Sequence, residues 1–199
     1  MRRQDRAGLI TPAAVHAAGY WLLVCVLASQ THWLLGTLTR PDTAWPLAGV
    51  IAVVALMLAF AATATGRFAW PFETHRSAYR WIACGVLAGV VVAFTVLVNF
   101  ASDGSAAPLP YVPLLNPLDL ASLGALLSVE IWMRRIGGDP PVARWFGGRP
   151  WLRYGILGAA AFLVLNGSLL HALHHFAGTP LDPEGVMNST LAQAALSLF

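Results

Sequence analysis

The chain has 199 residues, of which 57% are hydrophobic and 11% charged, and its mean hydropathy is +0.65. That leaves too little polar surface to coat a water-soluble globule, which excludes the ordinary soluble enzyme. The formal charge of +3 comes from twelve cations that are all Arg, none of them clustered with aromatics in a polar setting, so no nucleic-acid partner is expected.

The opening "MRRQDRAGLITPAAVHAAGYWLLVCVLASQ" has the Arg-rich start, apolar run and small-residue exit near Ala28 of a secretory signal. Further apolar runs follow it, so it is read as an uncleaved first helix. A bilayer core of about 30 Å takes about 20 apolar residues per helix. Runs of that order are Pro12 to Leu38, Ala44 to Thr65, Ser77 to Phe100, Pro117 to Arg135 and Pro150 to Phe176, with a shorter, more polar sixth from Pro183 to Phe199. Thr11-Pro12, Asn116-Pro117 and Asp182-Pro183 each place a capping side chain before a proline at the first helical position. The expected architecture is therefore all-α: a single polytopic helical membrane domain over 1–199 with about six spans, at 12–38, 44–65, 77–100, 117–135, 150–176 and 183–199. Cys25 and Cys84 fall inside separate apolar runs, and neither a disulfide nor a metal site is read from them.

Alternating the loops puts eleven arginines on one side and leaves Arg40 alone on the other, which makes the N-terminus cytoplasmic. Asp42, Asp103, Asp119, Asp182 and Glu184 collect on the opposite, outer side. The segment "GRFAWPFETHRSAYR" is an aromatic, basic turn expected to lie on the inner membrane surface, and "ASDGSAAPLPYVPLLNPLD" is expected to fold back over the outer helix ends.

"LLHALHHFAG" brings His171, His174 and His175 to the outer end of the fifth helix, where His171 and His175 share a face. Gln30, His32, Asn99, Asp103, Asn116, Asp119, Asn188, Ser189 and Gln193 come to a similar depth. One reading is a polar outer cavity with catalytic candidates His174, His175, Asp119 and Asp103, and with His171 and His175 as metal ligands at i, i+4. The plainer reading is that imidazoles suit a helix C-terminus at an interface, and that Asp119 is a helix cap and Asp103 a turn residue. Glu130 is read as the i, i+4 partner of Arg134, and Asn166 as a hydrogen-bonding group toward a neighbouring helix. Gly85 with Gly89, and Ser189, Gln193 and Ser197, are read as packing seams.

"PLPYVPLLNPLDLA", followed about 50 residues on by "LNGSLLHALHHFAGTPLD" and "STLAQAALSLF", resembles the C-terminal region of a bacterial family of large predicted membrane proteins, domain of unknown function 2339. "HWLLG" and "SDGSAAPLPY" fit the same resemblance. It implies a longer polytopic inner-membrane protein with further helices, of which these residues are a piece, in keeping with the short sixth span. It also implies a basic residue, commonly Arg, at the position of His171, and it supplies no catalytic residues.

The resulting expectation is a multi-pass bacterial inner-membrane protein with a structural, transport-related or envelope-associated role. Its partners are membrane lipids and further transmembrane helices, and no cofactor is assigned. The alternative is a membrane-embedded enzyme acting on a lipid-linked or periplasmic substrate through the outer His/Asp cluster. A third reading, a haem held by His32 and His171, ranks below both.

Overall fold

The computed structural model describes residues 12–137, 139 and 150–197, and every regular element among them is helical. In chain order these are α1 (Pro12–Leu38), α2 (Trp45–Ala64), two π-helical turns (Ala69–Glu73 and Ala78–Ala83), α3 (Cys84–Ala101), α4 (Pro117–Ile136), α5 (Pro150–Ala177), α6 (Pro183–Asn188) and α7 (Thr190–Ser197). The second π-helical turn runs into α3 to make one rod over Ala78–Ala101. Arg2, Arg3, Arg6, Thr11, Arg144, Trp145, Arg149, Phe199 and the Arg153 side chain, on which part of the expected caps and charge map rests, lie outside the described residues.

The local chemistry of the helix starts is largely as the sequence implies. Asn116 accepts the Asp119 amide at 2.9 Å ahead of Pro117, and Asp182 accepts the Gly185 amide at 2.7 Å ahead of Pro183. The start of α2 differs. Ala44 has no capping side chain, and its amide donates instead to the Ser105 carbonyl at 2.9 Å, so a distant loop secures this end.

Helix α2 is central and packs chiefly on α4 and α1, while α5 leans on α3 and α4. At the end where α1 begins, here called proximal, Tyr20 donates to the Met57 carbonyl, Trp21 to that of Ala83 and Trp132 to that of Arg80. At the distal end Trp45 donates to the Ala106 carbonyl at 3.0 Å, beside the Ala44–Ser105 bond. Successive long helices therefore run in opposite directions. The core between them is filled by Ile51, Leu58, Val91 and Leu118. The outward faces are equally apolar: Leu22, Leu56, Leu97 and Phe176 are 67–71% exposed. Helices that are hydrophobic all round belong in lipid. Four are long and apolar enough to cross a membrane: Pro12–Leu38, Trp45–Ala64, Ala78–Ala101 and Tyr154–Ala177.

The other two expected spans fare differently. Helix α4 occupies the expected fourth position, but Asp119, Ser122, Ser128, Glu130, Arg134 and Arg135 make it the most polar of the long helices. The expected continuous helix over 183–199 is instead α6 and α7, broken at Ser189. The Ser189 hydroxyl accepts the Ala192 amide and its carbonyl accepts that of Gln193, so the serine caps a new helix rather than continuing the old one. Gln193 turns back to the Met187 carbonyl and Ser197 to that of Ala194, so this stripe bonds locally rather than across a seam.

The tight helix approaches lie away from Gly85 and Gly89. A methyl group at Gly89 meets nothing within 4 Å, whereas one at Gly167 falls 2.9 Å from Asn99 Cβ and 3.2 Å from the Asn99 carbonyl oxygen. Those atoms belong to or adjoin the α3 backbone and cannot rotate away. Gly167→Ala is expected to cost about 1–3 kcal/mol by overpacking, while Gly158→Ala, with nothing within 4 Å, leaves stability unchanged or raised. Thermal unfolding of the two variants in the same detergent checks the contrast.

Candidate functional site: a buried polar junction at the distal end

The distal end gathers Asn99, Asn116, Asp119, Ser122, Ser168 and His171 out of contact with solvent, all from the ends of α3, α4 and α5. The Asp119 carboxylate is the hub. Its Oδ2 accepts the Leu114 amide at 2.9 Å and the Asn116 side-chain amide at 2.5 Å, and its Oδ1 accepts the Ser168 hydroxyl at 2.5 Å. Asp119 and Asn116 thus serve each other at the start of α4, the Asn116 oxygen taking the Asp119 backbone amide and the Asp119 carboxylate taking the Asn116 side-chain amide. The amide that Leu114 donates belongs to a left-handed residue, φ 64°, a conformation that costs a branched side chain about 1–2 kcal/mol. Asp119 holds that turn in place and, through Ser168, fastens α5 to it.

Asn99 links the other pair of helices. Its side-chain amide donates to the Thr95 carbonyl and to the Ser122 hydroxyl, both at 2.9 Å, and the Ser122 hydroxyl in turn donates to the Leu118 carbonyl at 2.7 Å. The Asn99 carbonyl lies in the last turn of α3, where backbone acceptors have no partner in the helix. His171 Nε2 supplies one from α5 at 2.9 Å. One turn further along α5, His175 Nε2 meets the Asp103 carbonyl at 3.0 Å. The i, i+4 histidine pair therefore matches two carbonyls four residues apart, as two rungs between α5 and the end of α3. A carbonyl only accepts, so both Nε2 atoms carry the proton.

His174 takes no part in those rungs; its Nδ1 bonds the Thr179 carbonyl at 2.9 Å and closes the C-terminus of its own helix. The Asp103 side chain accepts the Ser105 amide at 2.9 Å in a tight turn completed by Gly104 at φ +70°. Gly104 is needed there twice over, because a methyl group at this position falls 2.8 Å from His171 Nδ1. Among the described residues, no group of three or more His, Cys, Asp or Glu side chains is placed to hold a metal.

Tyr111 covers the junction. Its ring stacks on His175 at 4.2 Å and 17°, and its hydroxyl donates to the Ser168 carbonyl at 3.4 Å. Burial, helped by the nearby Asp119 charge, pushes its phenol up to about 12. A folded-state value above the ordinary 10 means that its contribution is complete below pH 10 and is lost as the pH rises toward 12. Tyr111→Phe is expected to flatten that alkaline loss, read as unfolding midpoint against pH.

The sequence-derived candidates are thus distributed as follows. His171, Asp119 and Ser168 are buried in one junction, and His175 and the Asp103 backbone meet at its rim. His174 stands apart, and His32, Gln30, Asn188 and Gln193 are exposed. His32 and His171 do not share an environment. Glu130 pairs with Arg134 at 2.6 Å as expected, whereas Asn166 bonds the Phe162 carbonyl of its own helix rather than a neighbour.

A second cluster, absent from the sequence reading, occupies the proximal end. His16 and His75 stack at 3.8 Å, His16 Nδ1 lies 3.3 Å from the Tyr79 hydroxyl, and Tyr20 meets Tyr79 edge-on at 5.6 Å. Beside them Arg80 and Arg76 reach Asp139 at 3.1 and 3.6 Å. The signal that could have revealed it is a shared spacing, His16 to Tyr20 and His75 to Tyr79.

A family model described as Predicted membrane protein (DUF2339) matches residues 1–199. No curated protein and no solved structure matches the chain.

Proposed function

Starting from the fact that this chain belongs to the family Predicted membrane protein (DUF2339), we propose that it is a multi-pass inner-membrane module with a structural, envelope-associated role. The observation that carries this reading is the use of the distal polar groups. Asp119 is occupied by three donors, and His171, His174 and His175 each serve a backbone carbonyl. Fastening helix ends accounts for these groups without a substrate. Stoichiometric metal in the purified protein, measured by elemental analysis, would overturn this in favour of the enzyme reading.

In this proposal α4 crosses as well, giving five passes between Pro12 and Ala177, with α6 and α7 resting at the outer surface. The polar groups of α4 do not oppose this. Asp119 and Ser122 are hydrogen-bonded inside the bundle, and Glu130 with Arg134 lies within reach of the interface. The N-terminus is cytoplasmic. Among the described residues Arg67, Arg76, Arg80, Arg134 and Arg135 belong to the proximal end, against Arg40 at the distal end, the asymmetry expected of an inner-facing surface. Trp70 and Trp33, both largely exposed, suit the two interfaces.

Intact cells carrying Arg67→Cys or Asp42→Cys test the orientation with a membrane-impermeant maleimide. Asp42→Cys is expected to react from outside and Arg67→Cys only after permeabilisation; the reverse pattern refutes the topology.

A further inference from the structure

Beside the polar junction lies a cleft of about 250 Å³, formed where the 102–116 segment folds over the starts of α2 and α4. Trp45, Leu109, Val112, Leu115 and Leu120 supply most of its walls. Several of the polar groups on those walls are already engaged. The Trp45 indole N–H goes to the Ala106 carbonyl, the Asn116 amide goes to Asp119, the Leu109 and Leu115 amides go to Ala106 and Val112, and Pro110 and Pro117 have no amide to offer. A polar ligand entering here loses its hydration against walls that are mostly apolar. An apolar occupant is the better fit.

The surface around the cleft narrows the choice further. Leu120, on its wall, is 51% exposed and begins a stripe along α4 that continues through Leu123 and Leu127. Leu109 and Leu115 are exposed on the opposite lip. The cleft is thus continuous with the outward apolar surface of the bundle. We propose that it is a binding site for one acyl chain of a membrane phospholipid, drawn in sideways from the leaflet at the distal interface and held between the 102–116 segment and α4. The site rests on the multi-pass reading above. It gives the apolar, proline-rich composition of "AAPLPYVPLL" a purpose beyond connecting two helices.

The test uses the full chain reconstituted in phosphatidylethanolamine/phosphatidylglycerol vesicles with a trace of phosphatidylcholine carrying a photoreactive diazirine on one acyl chain, followed by peptide mapping. The expected result is adduct formation concentrated within residues 106–120, in addition to general labelling of the α1 face at Leu22 and Leu23. In Leu120→Trp, which fills the cleft while keeping an apolar surface, the 106–120 adduct is lost and the α1 labelling is unchanged. Leu109→Trp, filling it from the other wall, does the same if the first variant does not fold. Labelling of α1 without a 106–120 adduct, or an adduct that survives both filled clefts, overturns the acyl-chain site and leaves the membrane reading intact. Absence of labelling on α1 as well as on the cleft overturns both.

Discussion

Asp119→Ala is expected to lower stability by about 2 kcal/mol or more, because it strands the Asn116 amide and the Ser168 hydroxyl, each a buried donor worth about 1–3 kcal/mol when left unpaired, and releases the part-buried Leu114 amide as well. Two consequences separate this from a general loss of packing. The left-handed turn at Leu114 has no other side chain holding its amide, so protease sensitivity should appear within 106–116 before the helices open. Asp119→Asn keeps one accepting oxygen and should fall between wild type and Asp119→Ala. Asp103→Ala provides the comparison: its side chain holds a single amide at a half-buried turn, which water can replace, so its cost stays within about 1 kcal/mol. Equal unfolding midpoints for Asp119→Ala and Asp103→Ala would show that the hub is not an anchor.

His171→Ala is expected to cost about 2–4 kcal/mol, the sum of a cavity between α3 and α5 and an unmet carbonyl at Asn99. His175→Ala removes the outer rung, where the imidazole is exposed and its carbonyl can turn to water, and is expected to cost less than about 1 kcal/mol. This inequality distinguishes fastening from metal binding. Two ligands of one ion are lost with comparable effect, and an added divalent metal would stabilise the wild type while stabilising neither variant. Thermal unfolding of both variants with and without zinc reads the difference directly. A metal-dependent rise in the wild type, abolished equally by both substitutions, would replace the carbonyl rungs with a metal site.

The positions of the five long helices were legible because each signal is local and strong. Apolar length sets the spans, and Asn116-Pro117 and Asp182-Pro183 set two of the starts within a residue. The last segment was misread as one helix because hydropathy is blind to a serine that caps better than it propagates, as Ser189 does. At the distal end, residue types and depth were legible but partnership was not. Asp119 was readable as a cap from "NPLD", yet its bond to Ser168 spans 49 residues and depends on how α5 rotates. The histidine spacing raised a metal pair because i, i+4 states only that two side chains share a face, not whether that face meets an ion or two carbonyls. The close approach at Gly167 was hidden for a related reason: glycine marks a tight contact only when the backbone opposite, here Asn99, is known.

The hub at Asp119 has a bearing on biogenesis. Of its three donors, Leu114 and Asn116 lie 5 and 3 residues upstream, whereas Ser168 lies 49 residues downstream. At ordinary synthesis rates the ribosome needs about 2–10 s to reach that serine. On the five-pass reading proposed above, α4 enters the bilayer bearing an acidic group before Ser168 arrives, and the two nearby amides are the donors then available to it. On that reading the pairing with Ser168 is a late step that fastens α5 to a turn already formed.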